Sequence, residues 1–456
     1  MVQSKTDLFE KAPIHKAYFM LTLPSVFVKI VMLFYNMADT WFIAATDNSD
    51  LVAGVSITTP IFMLMIAIGD IFGIGGSSVI SRLFGKHQNE DVKKISSFCF
   101  YGAIGIGGII AIILLLFQKP ILHLLGAEDS IFQHALEYYR YIALGTPIIV
   151  ASIVPVNILR CEGMATSAMI GSIVGSIVNI VLDPIFIFSF DMGAAGAAIA
   201  TVIGNFCSLM LYIYFYSKSK WLSIKIFDCH IRGKDITQIL SIGIPASLTN
   251  LMQSFCIALT NRCLLPFGND KITAFGIASK VSMIANLLLV GFSFGAQPLV
   301  GYNYGNRNYP RFKKILKFIY LFEISLAAVI AIVIGGFAPD FIRLFMDDSA
   351  IIINGAQILR FQLAGSVFVA VVFVSICIFQ STGKATASLL LAISRQGAIF
   401  ALIMFISYSL FGYIGVLSAQ PVSDLLTASI AMLLLHKELR KELCPSTKFA
   451  GPEKHL

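Results

Sequence analysis

Apolar runs of about 20 residues recur along almost the whole chain, and each is long enough to cross a bilayer as a helix. We read about twelve, at residues 17–45, 51–83, 95–117, 137–159, 164–190, 194–216, 239–265, 272–301, 315–337, 355–379, 386–411 and 415–436. Lipid offers the backbone no hydrogen-bond partners, so a spanning segment must satisfy its own amides as a helix or close into a barrel. Long continuous runs, rather than short alternating ones, select the helix. With 57% hydrophobic and 13% charged residues among 456, and a mean hydropathy of +0.83, no soluble core could hide this surface. The expected fold class is an all-α polytopic membrane protein.

The loops give the orientation. The net charge is +8, and the basic residues gather in alternate loops. Lys5, Lys11 and Lys16 precede the first run, Arg82, Lys86, Lys93 and Lys94 follow the second, and Lys218, Lys220, Lys225, Arg232 and Lys234 follow the sixth. The intervening loops carry Asp47, Asp50, Glu128, Asp129, Asp347 and Asp348 instead. By the positive-inside rule both termini face the cytoplasm, from a multi-pass protein of the cell's inner (plasma) membrane. Topology accounts for the basic charge, so no nucleic-acid partner is implied. Eight cysteines without a Cys-x-x-Cys and seven histidines without clustering indicate neither a disulfide framework nor a zinc site. The glycine-rich run 69–76 holds no Walker sequence. The chain is expected to be no enzyme and to need no cofactor. Solute movement would be passive or driven by a gradient of H⁺ or Na⁺. Met1 to Lys16 is polar, precedes a full-length run and does not resemble a cleaved signal peptide.

The two halves repeat at an offset of roughly 220 residues. Pro24 corresponds to Pro245, Gly69 and Gly73 to Gly291 and Gly295, Phe84-Gly85 to Tyr304-Gly305, and Lys93-Lys94-Ile95 to Lys313-Lys314-Ile315. An even number of spans per copy gives both copies one orientation, related by an axis along the membrane normal with a cavity between them. The expected organisation is an N-terminal segment (1–16), an N-lobe of six spans (17–217), a linker (218–237), a C-lobe of six spans (238–437) and a tail (438–456).

Acids inside apolar runs mark function, because a carboxylate at bilayer depth costs about 2.5–3.5 kcal/mol even on insertion scales. Asp183 lies in the fifth run with Asn179 four residues before it, on the same helical face, and Pro184 after it. Proline removes an N–H and disfavours α geometry at the residue before it, so a bend is expected at the acid. The first run carries Asp39, with Asn36 one turn earlier. Two embedded acids, each with an amide nearby, point to a proton or cation site. Tyr35, Asn36, Asn157, Asn250, Gln253 and Asn286 are polar groups within apolar runs and candidates to contact substrate. Lys29 and Asp70 lie at similar depth and can pair. Gln297-Pro298 forms a second candidate bending point.

Several motifs together resemble the multidrug and toxic compound extrusion family of the MOP superfamily. They are Gly295-Ala296-Gln297-Pro298-Leu299-Val300-Gly301-Tyr302-Asn303-Tyr304-Gly305, Asn36-Met37-Ala38-Asp39-Thr40, Arg160-Cys161-Glu162-Gly163, Leu182-Asp183-Pro184 with Gly193-Ala194-Ala195-Gly196, and Ala419-Gln420-Pro421-Val422-Ser423-Asp424. The resemblance, on its DinF/MepA-like side, implies two six-helix bundles that export cationic or amphipathic organic compounds against H⁺ or Na⁺. It implies a coupling site at Asp39, Asn179, Asp183 and Thr201, whose oxygens would also suit Na⁺. The implied partners are small organic cations and drugs and the lipid bilayer, with the protein a monomer. Asp424 belongs to a C-lobe polar cluster whose role the resemblance does not give.

Two other functions compete. A flippase for lipid-linked sugars would share this architecture but needs basic residues facing the cavity to hold pyrophosphate. Lys29, Arg262 and Lys280 are the candidates. A major-facilitator transporter would carry Gly-x-x-x-Asp-Arg after the second span, which Ser81-Arg82-Leu83-Phe84-Gly85-Lys86 lacks.

Overall fold

The computed structural model describes residues 5–443, with the side chains of Lys5, Thr6, Ser130, Asn250, Leu251 and residues 439–443 outside the described set. The described residues form helices and connecting turns, with no strand. Among the described residues, ten helices are long and apolar enough to span a membrane. The first six are Ile14–Ala44, Ser49–Gly85, Asn89–Leu116, Ile131–Cys161, Ala165–Ser189 and Gly193–Lys218. The seventh to ninth are Gly233–Phe267, Asn269–Gly305 and Tyr309–Gly336. The tenth span is a pair, Ser349–Ala364 and Ser366–Thr382, bent by 42°. The last apolar helix, Ala385–Glu438, contains two spans, because at Gly412 the backbone turns to φ 56°, ψ −126°. That conformation is closed to residues with a Cβ. Residues eight apart on a helix stand about 12 Å apart along its axis, yet a Cβ at Gly415 would collide with the Ser407 carbonyl oxygen. The chain therefore doubles back, and twelve spans result.

Small residues set the helix spacing. Along the fifth span the buried residues are Ala165, Ala168, Gly171, Gly175, Asn179 and Asp183, a stripe at helical period. It lies on the sixth span's Thr201, Gly204, Ser208 and Tyr212, all buried. The Ser208 hydroxyl donates to the Gly171 carbonyl at 3.0 Å. A Cβ at Gly204 would stand 2.7 Å from the Gly175 carbonyl oxygen. Such contact replaces the hydrophobic drive that lipid does not supply between helices.

The two lobes meet across a seam on the side that carries both ends of the described chain. There the second span packs on the seventh and eighth, and the first packs on the eighth. Polar bonds cross it: the Ser78 hydroxyl donates to the Gln380 carbonyl, and Arg82 Nη2 donates to Gln238 Oε1 at 3.3 Å. The N-terminal residues strap this seam from outside. Glu10 Oε1 accepts from the Tyr302 hydroxyl at 2.8 Å and from Asn306 Nδ2 at 3.3 Å. Arg311 donates to the carbonyls of Phe9 and Ala12 at 2.9 and 2.6 Å, and the Phe9 ring stacks on Tyr302 at 4.9 Å. Between the lobes lies a cavity of about 780 Å³, lined from every span except the third and the ninth, which are the equivalent members of the two copies.

Two bends expected from sequence take another form. The fifth span runs as an α-helix through Asp183 and Pro184, then widens into a π-helical turn at Ile185–Ser189. The proline's missing N–H is absorbed by that change of pitch. In the eighth span the helix stops at Gly295 and restarts at Gln297, so Pro298 sits in the first turn of a new helix, where it has no bond to lose. The linker between the lobes holds a short 3₁₀ turn, Ile226–Cys229, and is tied to the third span by the Tyr101 hydroxyl, which donates to the Ile224 carbonyl at 2.8 Å.

The seam has no room for side chains at its glycines. A Cβ at Gly243 would lie 2.1 Å from the Ile71 carbonyl oxygen, and one at Gly75 2.3 Å from that of Ile239. Gly243→Val is expected to cost the closed seam about 1–3 kcal/mol and to force the lobes apart there. Spin labels at the exposed positions Lys86 and Lys234 would report a longer distance than in the parent protein. An unchanged distance would show that the seam is not set by this contact.

Candidate functional site

The N-lobe site forms where the first, fourth, fifth and sixth spans meet. The small-residue stripe carries Asn179 and Asp183 against the sixth span, where Asn179 Nδ2 donates to Thr201 Oγ1 at 3.3 Å. All three are buried. Asp39 approaches from the first span, close enough to Asp183 for their charges to interact. Tyr35 also senses both carboxylates and approaches Thr201. The four residues of the expected coupling site thus share one pocket.

This pocket is rich in acceptors and poor in donors. Asp39 Oδ1, Asn179 Oδ1 and both oxygens of Asp183 are buried with no hydrogen-bond partner among the described residues. Buried polar atoms are nearly always satisfied, and an uncompensated buried carboxylate is among the costliest of groups. Four orphaned acceptors define a demand for positive charge, which one or two protons or a small hard cation would meet. The donor set consists of oxygens, which fits Na⁺ as well as H⁺.

The carboxylates stand behind the cavity wall. Asn179, Thr201 and Tyr35 line the cavity, whereas Asp39 and Asp183 do not. Of the expected substrate contacts, Tyr35, Asn157, Gln253 and Asn286 line it. Asn36 does not: it is exposed, and its Nδ2 donates to the Met32 carbonyl of its own helix at 2.8 Å. One turn of separation from Asp39 leaves it about 60° away around the helix, enough to take it off the buried face. The Asn250 side chain lies outside the described residues. Gln297 lines the cavity and is buried.

Sequence patterning missed three groups. Tyr138, buried in the fourth span, senses Asp39, Asp183 and Tyr35 and approaches Thr201. It sits in an unremarkable Glu-Tyr-Tyr-Arg run that gave no signal. Glu323, fully buried in the ninth span, accepts from Ser293 Oγ at 2.9 Å and from the Tyr18 hydroxyl of the opposite lobe at 3.5 Å. Arg395 lies in the eleventh span, where Ser394-Arg395-Gln396 interrupts an apolar run. The criterion that marked Asp183 applies equally to it.

Arg395 accounts for Asp424. Its Nε donates to Asp424 Oδ1 at 3.0 Å, and Gln420 Nε2 donates to the same oxygen at 3.0 Å. The guanidinium lies 4.5 Å over the Phe373 ring. A π-helical turn at Ser394–Ala398, with Gly397 at φ −117°, ψ −107°, presents Arg395 and Gln396 together at the cavity. Of the three basic residues singled out from sequence, Lys29 and Lys280 line the cavity and Arg262 does not.

The MatE family profile matches the chain twice, over residues 24–185 and 245–406, one copy in each lobe. The chain is 30% identical over 429 residues to the multidrug export protein MepA of Staphylococcus aureus (strain N315), covering 94% of this chain and 95% of MepA. It superposes on the outward-facing conformation of a multidrug resistance MATE family transporter of the MOP superfamily with a TM-score of 0.89 at 26% identity, over 98% of this chain and 100% of that one. It also superposes on a MOP superfamily transporter from Pyrococcus furiosus Vc1, described as having a binding pocket of reverse polarity, with a TM-score of 0.88 at 26% identity over 97% and 99% of the two chains. The duplicated profile, the MepA identity along almost the full length and the matching twelve-helix architecture agree: the chain belongs to the MatE family, as a multi-pass efflux transporter of its MepA-like branch.

Proposed function

We propose that the protein is a secondary antiporter of the plasma membrane, with both termini cytoplasmic. It exports amphipathic organic compounds, organic cations among them, in exchange for H⁺ or Na⁺ entering through the N-lobe acid site. The observation that carries this is the set of four orphaned acceptor oxygens at Asp39, Asn179 and Asp183. With the basic loops on the cytoplasmic side, the closed seam is the cytoplasmic gate and the cavity faces outward.

The mechanism follows from charge. With its acids empty, the pocket holds three buried carboxylate oxygens without donors, both of Asp183 and Oδ1 of the half-buried Asp39, a costly arrangement in low dielectric. Taking up H⁺ or Na⁺ cancels that charge. Asn179, Thr201 and Tyr35 belong both to the pocket and to the cavity wall, so neutralisation behind the wall changes the polar surface that a bound compound meets. An ion that binds one arrangement of the lobe better than the other shifts the equilibrium by that difference and no more. The π turn after Pro184 gives the fifth span a pitch that can change without breaking its hydrogen bonds.

A specific observation supports a second reading, a lipid-linked sugar flippase: Lys29 and Lys280 line the cavity. In liposomes with a pH or Na⁺ gradient imposed separately, one gradient is expected to drive ethidium efflux by the parent protein. Asp39→Asn and Asp183→Asn should each remove that gradient dependence, by about tenfold or more in rate if the neutralised acid no longer contributes even 1.4 kcal/mol, while the folded protein is retained. Normal gradient-driven efflux in both variants would reject the site. Failure of both gradients with the parent protein would favour the flippase.

Pro184→Ala restores an N–H at the start of the π turn. The spin-label distance across the cytoplasmic gate is expected to change less between low and high pH in this variant than in the parent. An identical pH response would remove the proline from the coupling mechanism.

A further inference from the structure

Among the described large apolar side chains none is more exposed than Phe227, at 91%, and Ile226 beside it is 61% exposed. Both belong to the 3₁₀ turn Ile226–Cys229 in the linker between the lobes. Loop charge places that linker on the cytoplasmic side. Two such side chains held out into water would be unfavourable. What they meet depends on the level at which the turn sits.

The linker does not stand off the membrane. Ile224 packs on Phe100, Ala151 and Leu209, from the third, fourth and sixth spans. Phe100 lies six residues beyond Lys94, the last charged residue at the start of the third span. Leu209 lies nine residues before Lys218, at the end of the sixth. At 1.5 Å per residue these are about 9 and 13 Å of helix, so Ile224 sits inside the charges that mark the head groups. Its backbone is satisfied accordingly. The successive carbonyls of Ser223, Ile224 and Lys225 accept from the third-span hydroxyls of Ser96 at 3.2 Å, Tyr101 at 2.8 Å and Ser97 at 2.6 Å. Irregular backbone needs protein donors where water is scarce. Ser97 also holds the far end of the turn, since Cys229 Sγ lies 3.3 Å from the same hydroxyl. Phe227 therefore projects from the level of Ser97, three residues inside Lys94, beside a span that does not line the cavity.

Bases flank this tip in the chain: Lys218, Lys220, Lys225, Arg232 and Lys234 against Asp228 and Asp235. Asp228 is engaged within the linker, where its Oδ2 accepts from the Ser223 hydroxyl at 2.5 Å. Lys220, Lys225 and Arg232 are exposed. Long basic side chains starting at this level keep their stems in the apolar layer and their charge among head groups. We propose that the linker docks on the bilayer: Ile226 and Phe227 insert at the head-group boundary of the cytoplasmic leaflet, and the bases around them select anionic phospholipids there. An apolar anchor combined with basic residues is what holds a segment on such a surface. Trp221, 36% exposed, and Tyr214, whose ring lies 5.4 Å from Lys218 Nζ, add the amphipathic rings that favour the same boundary. The segment that joins the lobes is thereby held at the leaflet, through its tie to the third span.

This goes beyond the antiport reading and holds whatever the cavity carries; only the naming of the leaflet rests on the cytoplasmic termini. The test uses the full chain in vesicles. Trp41 and Trp221 are its two tryptophans. With both changed to Phe, Phe227→Trp leaves one fluorophore, at an exposed tip where the larger ring displaces nothing. In phosphatidylcholine vesicles, acyl chains brominated near the glycerol end are expected to quench it, and aqueous iodide to leave it unaffected. Mixed vesicles read the selectivity. Bromine carried by phosphatidylglycerol in plain phosphatidylcholine should quench at least about twofold more than the same amount carried by phosphatidylcholine in plain phosphatidylglycerol. Lys220→Gln with Lys225→Gln should bring that ratio toward one, while quenching in pure phosphatidylcholine persists and shows the tip still docked. Quenching by iodide with brominated chains silent would put the tip in water and overturn the docking. Silence of both quenchers would mean that protein covers the tip, and would overturn it equally. A ratio of one before the lysines are changed would overturn the selection of anionic lipid, and an unchanged ratio in the double variant would overturn the role of these bases. None of these readouts depends on transport, so failure of gradient-driven ethidium efflux would sink the antiporter and leave the docking standing.

Discussion

Two carboxylates that meet between the first and fifth spans, Asp183 fully buried and Asp39 half-buried with its Oδ1 turned inward, and neither offered a hydrogen-bond donor by the described residues, are the constraint around which the N-lobe is built. A helix pair in lipid has no hydrophobic drive to associate, so the approach of the fifth and sixth spans comes from small residues: Ala168, Gly171 and Gly175 on one side, Gly204 and Ser208 on the other. The same stripe, continued toward the far side, carries Asn179 and Asp183. The packing that fixes the helices therefore also fixes the polar site, and the site has no slack with which to turn toward solvent.

The two lobes descend from one pattern and use it differently. In the N-lobe, acid meets acid behind the wall, and the π turn comes near the end of the fifth span, after Pro184. In the C-lobe, the corresponding eleventh span has its π turn near mid-membrane, and there Arg395 meets Asp424 directly. A buried ion pair of this kind adds little net stability but is severely disrupted by loss of either partner, at about 3–5 kcal/mol. The C-lobe pair is internally neutral. At these two corresponding helices the C-lobe brings a base, Arg395, to the acid Asp424, and the N-lobe brings a second acid to Asp183.

The fold was legible in the sequence because lipid permits so few structures. Run length gave the spans, loop charge gave the orientation, and the offset between Pro24 and Pro245 gave the duplication. Asp39, Asn179 and Asp183 were legible because the cost of burying them demands a reason. Arg395 is legible by the same rule, since a base within an apolar run costs as much as an acid does. Tyr138 was not legible, because aromatic hydroxyls are inexpensive in a membrane and common in helices. Asn36 shows the opposite failure. Spacing from Asp39 placed it one turn away, but a helix of 3.6 residues per turn does not return to the same face after three, and the Met32 carbonyl of its own helix was a closer partner.

The signature stretch from Gln297 to Gly305 was read from sequence as a place to bend. Its structural work lies at the seam. Gly301 and Gly305 admit the second span, since a Cβ at either would strike Ser81 or Arg82. Tyr302, Asn303 and Asn306 hold the N-terminal strap through Glu10 and the Phe9 carbonyl. The break before Gln297 is what lets this short helix take its own direction, set by the second span and by the strap. Opening on this side must therefore undo tight backbone contacts, the Ser78 bond to Gln380 and the strap together. A barrier assembled from many small terms stays shut when one term weakens and yields only to a change that acts on whole lobes. The helices that carry Asp39 and Asp183 are two of those that wall the cavity, and the first of them also packs across the seam, so the proposed neutralisation of these acids would act on both faces of the lobe at once.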